Sequence, residues 1–208
     1  MDKAAYPHLL SPTRLWSRAE ILSSPSPVPR APGVYAWYFR QIPPQTPLNG
    51  CLTHDDLTLL YVGISLKAPP IEGHIRIGQS LRHRMRQHLR GNAEGSTLRL
   101  TLGCLLSEQL GIALRRVRSS SSVKGDDAAY RYTFTKEGEA RLDAWLERNA
   151  YVAWMIDAEP WLVEEELIRS VSLPLNLDQN RHHSFHVTLS AQRKGARVRA
   201  QALPVVYE

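Results

Sequence analysis

An α+β fold is predicted by three features of the chain. Two runs rich in β-branched and aromatic residues, Gly33–Phe39 and Leu57–Ile64, are separated by a turn-rich loop and read as an antiparallel pair of strands. A third run, 151–156, is apolar enough to lie inside a sheet. Helical periodicity then marks a basic segment at 80–89 and an acidic one at 160–171.

Taken in order, residues 1–32 form an N-terminal arm. Its prolines at 25, 27, 29 and 32 exclude a central element, although 13–22 could make a short helix. The loop at 40–56 carries Pro43, Pro44, Pro47 and the pair Asn49-Gly50, and that at 67–79 carries Pro69, Pro70, Gly73 and Gly78. Ser96 or Thr97 can cap a helix running to Leu110, with Leu98, Leu102, Leu105, Leu106 and Leu110 on its apolar side. Residues 119–127 are polar and serine-rich and read as a mobile segment. A strand at 130–135 and a helix at 136–148, with Leu142, Trp145 and Leu146 inward, come next. Pro160 suits a first helical position, and Pro174 forbids continuation of that helix. Residues 185–189 and 197–206 read as two last strands around a basic turn.

The chain of 208 residues has a formal charge of +6, Arg far outnumbers Lys, and the cations cluster at 82–90, 115–118 and 193–199. Guanidinium forks pair with phosphate oxygens, so this balance gives a weak preference for nucleic acid. Cys51 and Cys104 match neither a disulfide framework nor a metal-ligand spacing. With no signal-type N-terminus and no run long enough to span a membrane, a cytoplasmic setting is expected.

The basic helix makes the first chemical argument. Leu81, Met85 and Leu89 form a narrow apolar stripe, and Arg82, Arg86 and Arg90 lie roughly opposite. Arg84 and His88 stack on one face at the border of the buried side. A cation held there is costly unless an anion meets it, and a phosphate would serve. A nearby carboxylate would serve as well. On the acidic helix, Leu167, Ile168 and Val171 follow Glu164 by three, four and seven positions, so Glu164 heads the apolar stripe while Glu165 can pair with Arg169 in solvent. A carboxylate so placed needs backbone donors, an arginine or a metal ion.

These pieces resemble the GIY-YIG nuclease family. The resemblance rests on Gly33-Val34-Tyr35, Tyr61-Val62-Gly63, Arg84 and His88 on the following helix, Glu164 ahead of Leu167-Ile168, and Asn176 past the next proline. It implies a small central antiparallel sheet flanked by helices, with an inserted helical segment at about 92–150 of a single domain spanning 33–208. It further implies a metal-dependent DNA endonuclease, with Mg²⁺ or Mn²⁺ held by Glu164. Carried over, Tyr35 and Tyr61 flank the scissile phosphate, Tyr35 or His88 activates water, Arg84 stabilises developing charge, and Asn176 fixes local geometry. Gly33, Gly63, Arg82 and Lys67 are the substrate-binding candidates. Many members carry a lysine soon after the second tyrosine motif, whereas here Ile64-Ser65 follow and Lys67 comes late.

An unperturbed tyrosine has a pKa of about 10, so roughly 4 kcal/mol opposes a phenolate base at neutral pH unless cations or a metal lower that value. His88 is the expected proton relay. A non-cleaving nucleic-acid-binding module on the same fold is the alternative reading. Because one site cuts one strand at a time, a double-strand break needs two sites, as in a homodimer, or two successive events. The histidines at 182, 183 and 186 lack a cysteine or carboxylate at ligand spacing and read as solvent-facing or phosphate-contacting. Trp37, Trp145, Trp154 and Trp161 fall on apolar patterns and read as core.

Overall fold

The computed structural model describes residues 6–66, 80–118 and 130–208; the loop expected at 67–79, with Lys67, and the whole serine-rich segment 119–127 lie outside these. In chain order the elements are α1 (Pro7–Leu10), β1 (Trp16–Ser17), α2 (Arg18–Ile21), β2 (Gly33–Phe39), β3 (Thr53–His54) and β4 (Leu57–Ile64). Then come α3 (Leu81–Arg90), α4 (Thr97–Leu105), α5 (Ser107–Leu110), β5 (Arg115–Arg118), β6 (Arg131–Thr133) and α6 (Thr135–Asn149). The chain finishes with β7 (Ala150–Ile156), α7 (Pro160–Ser170), α8 (His186–Ala202) and β8 (Val206–Tyr207).

The main sheet is antiparallel and five-stranded, in the order β1-β7-β2-β4-β3. Helices cover both faces, and every residue of β2 and β4 is buried, which is why these strands read as continuous apolar runs. Tyr35, Trp37 and Phe39 face α3, α4, α6 and α8, while Val34, Ala36 and Tyr38 face α1 and α7.

One irregularity positions the chemistry. Trp37 pairs with Tyr61 but Tyr38 pairs with Leu59, so Leu60 is an extra residue in β4. Leu57 and Leu59 belong to the α7 face, yet so do Val62 and Ile64. The bulge thus reverses the alternation of β4 and puts Tyr61 on the same face as Tyr35. In an unbulged strand Tyr61 would point to the opposite side.

Beyond its short pairing with β3, the outer edge of β4 is completed by the loop after α7. Leu175 N–H donates to the Leu60 carbonyl at 3.1 Å. This loop carries the chain round the sheet edge from α7 on one face to α8 on the other.

Three sequence expectations are corrected. The 13–22 segment is not one helix: Ser17 and Glu20 form a capping box that starts α2 at Arg18, leaving Trp16 and Ser17 extended against β7. The helix from Ser96 breaks after Leu105 into α4 and α5, and Gly111, in the left-handed region at φ 60°, ends it. The two strands expected within 185–206 are replaced by the single helix α8, whose buried Leu189, Ala196 and Ala200 keep helical spacing. Val187 and Val198, within the expected strands, are exposed on this helix, and the alanines favour helix. The 92–150 segment contributes more than helices, because β5 pairs with β6 and, in parallel, with β8 in a second sheet.

Candidate active site

Tyr35, Tyr61, Arg84, Glu164 and Asn176 line one cleft of about 170 Å³, where the end of β4 meets α3, α7 and the loop after α7. They come from four elements and that loop. Trp161, Asp178, Gln179 and Arg193 complete much of the wall.

Tyr35 sits opposite Gly63 in the β2–β4 ladder, with its ring lying over the glycine. A Cβ on Gly63 would come within 2.8 Å of the ring and hydroxyl, so the glycine is what makes room for the phenol. Gly33 serves packing in the same way, since a Cβ there would meet the Met155 carbonyl oxygen at 2.1 Å. Of the two substrate-binding glycine candidates, Gly63 thus makes room for the Tyr35 ring and Gly33 lets β2 pack closely on β7 and Leu81.

His88 is fully buried behind Tyr35 and is not part of the cleft wall. Its Nε2 lies 2.8 Å from the Tyr35 hydroxyl, and its Nδ1 lies 2.7 Å from Ser96 Oγ. Two arrangements satisfy this chain: Nδ1–H donates to Ser96 while Nε2 accepts from Tyr35, or both donations reverse. Ser96 also caps α4 by accepting from Arg99 N–H at 3.1 Å. Burial pushes the His88 pKa well below its usual value, with further lowering by the charges of Arg84 and Arg99. His88 is therefore neutral near neutral pH and lies behind Tyr35 rather than on the cleft wall.

Both phenols are protonated at neutral pH. Burial raises the Tyr35 pKa above the usual tyrosine range, with Tyr61 adding to it and the Arg84 charge opposing it. Burial raises Tyr61 also, opposed by a hydrogen bond with Thr97 and by Arg84, while Glu164 and Asp178 push it upward. Arg84 lies at the cleft with Nη1 donating to Gln87 Oε1 at 2.6 Å.

Residues 33–195 match the model of the GIY-YIG catalytic domain. The chain belongs to the GIY-YIG nuclease family. No curated protein and no solved structure matches it significantly.

Within this GIY-YIG domain, Asn176 is a clamp on the second tyrosine strand. Its Oδ1 accepts from Val62 N–H at 3.0 Å and its Nδ2 donates to the Val62 carbonyl at 2.9 Å, so the carboxamide stands in for a missing neighbouring strand. The Asn176 backbone carbonyl is in turn held by Asn180 Nδ2 at 3.1 Å. Arg82 is not brought to the cleft: its guanidinium donates to the carbonyls of Val28, at 2.6 Å, and Ser26, at 3.2 Å, tying α3 to the proline-rich arm. Lys67 lies outside the described residues.

Ser96, Asp178, Gln179 and Trp161 carried no sequence signal for these positions. Ser96 was legible only as a helix cap, and its contact with His88 depends on how α4 folds back on α3. Trp161, expected in the core, is half-buried in the cleft wall. Trp37 and Trp145 are in the core as expected, and the half-buried Trp154 stacks on Trp16 at 5.2 Å.

The donors present suit a hard cation. Glu164 and Asp178 are carboxylates on the cleft wall, and Mg²⁺ ordinarily takes one or two carboxylates, several waters and a substrate phosphate. Among the described residues, no group of three or more His, Cys, Asp or Glu side chains forms a complete protein cage.

Proposed function

We propose that this domain is a metal-dependent DNA endonuclease that hydrolyses a phosphodiester bond in the cleft. The observation that carries the reading is the convergence of Tyr35, Tyr61, Arg84 and Glu164, far apart in sequence, on one small polar cleft. Glu164 would hold Mg²⁺ or Mn²⁺, which when bound supplies a Lewis acid for a phosphate oxygen and acidifies water.

The protein's own groups then have distinct work. Tyr35 and Tyr61 flank the phosphate, and Arg84 supplies positive charge where negative charge grows in the transition state. With His88 Nε2 accepting, the Tyr35 O–H is directed backward and its oxygen lone pairs are left toward the cleft, oriented to receive a water proton. Water can pass a proton to Tyr35 as Tyr35 passes its own to His88. Arg84 is one of the charges that keep His88 neutral, so a phosphate paired with Arg84 raises the proton affinity of His88 when substrate arrives. Ser96 holds the imidazole in register. One cleft cuts one strand, so a double-strand break takes two copies or two successive events.

The test is nicking and linearisation of supercoiled plasmid with Mg²⁺ or Mn²⁺, beside Glu164→Ala and a chelator control. Cleavage should require the metal and fall at least ~100-fold in the variant, while DNA binding survives. Wild-type binding without cleavage across plasmids of varied sequence would favour the non-cleaving module instead.

A further inference from the structure

A second groove of about 550 Å³ lies beside the cleft and runs along α8. Leu177, Asp178, Gln179 and Arg193 line both, so the two spaces adjoin. Arg181, His186, Lys194 and Arg197 stand along the groove beyond the cleft. On α8, His186, Ser190, Arg193, Lys194 and Arg197 follow at offsets of 0, 4, 7, 8 and 11, which places them on one helical face beside the buried stripe of Leu189, Ala196 and Ala200.

Two observations make this face more than a solvated helix. Among the described residues, no carboxylate is within ion-pair distance of Arg181, Arg193, Lys194 or Arg197, and Asp178 is the sole acidic residue of the groove lining. Like charges on neighbouring turns oppose one another: burial chiefly lowers the pKa of the half-buried Arg193, Arg197 lowers it further, and Cys104, Asp178 and Tyr61 act the other way. An arrangement of this kind is relieved by an anion from outside. The span from His186 to Arg197 is about 16 Å at the helical rise, or roughly five base pairs of duplex.

We infer that the α8 groove is a track for the sugar-phosphate backbone of duplex DNA next to the scissile phosphate. This rests on the endonuclease reading for its substrate class and adds the direction in which the duplex leaves the cleft. Arg181, Lys194 and Arg197 contact phosphates without reading sequence, and Arg193 joins the track to the cleft.

The experiment compares wild type, Glu164→Ala and the triple variant Arg181→Ala/Lys194→Ala/Arg197→Ala, none of whose three sites lines the cleft. Binding to a fluorescent duplex is read by anisotropy without divalent metal, across a potassium chloride series. Thermal melting of the triple variant should match wild type, because its three side chains are exposed. The triple variant should bind more weakly, and its log affinity against log salt should be shallower by roughly two to three, at about 0.9 per phosphate lost. Glu164→Ala should keep the wild-type slope. An unchanged slope in a triple variant that melts normally would overturn the inference, as would equal loss of binding to phosphatidylserine vesicles, which would mark a membrane surface. Loss of slope together with absence of plasmid nicking by wild type leaves the track standing and removes the cleavage reading; nicking with an unchanged slope does the reverse.

Discussion

Arg99 and Arg193 sit on the packed helices α4 and α8, and their surroundings are opposite. Arg99 is fully buried, with its guanidinium on Glu139 and Asp143, both at 2.6 Å, and on the His88 carbonyl at 3.1 Å. Asp143 and Glu147 extend this network to Arg18 on α2, each at 3.0 Å. Arg193 is half-buried, its pKa lowered chiefly by that burial, and no carboxylate among the described residues lies within ion-pair distance of it. One arginine has its anions built into the protein and braces the scaffold. The other faces a cleft and groove whose lining holds a single acidic residue, Asp178, besides Glu164 in the cleft.

The contrast breaks most readily at Arg99. Arg99→Leu leaves Glu139 and Asp143 without their shared cation and should cost about 3–5 kcal/mol, measured by urea unfolding. A loss below about 1 kcal/mol would mean that the network is not what holds α4 to α6.

His88 joins the two regions, since its backbone carbonyl binds Arg99 while its ring meets Tyr35. The unfolded chain protonates this histidine near its ordinary value of about 6.5, whereas the folded protein does so well below it. Between those values the unfolded state binds more protons, so stability falls as pH drops through that window, by up to about 1.4 kcal/mol per pH unit. Unfolding free energies measured from pH 7 downward should show this slope in wild type, reduced in His88→Gln. Equal slopes would place the ring in a more solvated setting than the contacts here describe.

Arg193→Leu should have the smallest effect on stability, under about 1 kcal/mol, because no built-in partner is stranded. Its DNA affinity should nevertheless fall, with the salt slope shallower by about 0.9 if one phosphate contact is lost. Destabilisation comparable to that of Arg99→Leu would show that Arg193 belongs to the scaffold after all.

Much of the cleft was legible in the sequence. Periodicity in α3 separated the stripe of Leu81, Met85 and Leu89 from Arg84 and His88, and periodicity in α7 singled out Glu164 among three glutamates; Glu165 does pair with Arg169. The failures share a cause. Arg82 read as a substrate-binding candidate because its partners, the carbonyls of Ser26 and Val28, belong to an arm whose path the prolines did not reveal. Residues 185–189 and 197–206 read as strands, but the packing of Leu189, Ala196 and Ala200 on a single helix face prevailed.

By itself, then, the sequence determined which residues form strands β2, β4 and β7, which helix faces are apolar, and which polar residues stand at their borders, because these are local consequences of side-chain spacing. Only the tertiary structure decided that a bulge at Leu60 turns Tyr61 toward Tyr35, that Ser96 backs His88, and that Asn176 closes the edge at Val62. Spacing reports that a face must be covered. What covers it depends on contacts such as Tyr35 with His88, 53 residues apart, and Val62 with Asn176, 114 apart, which exist only once the chain has closed around its sheet.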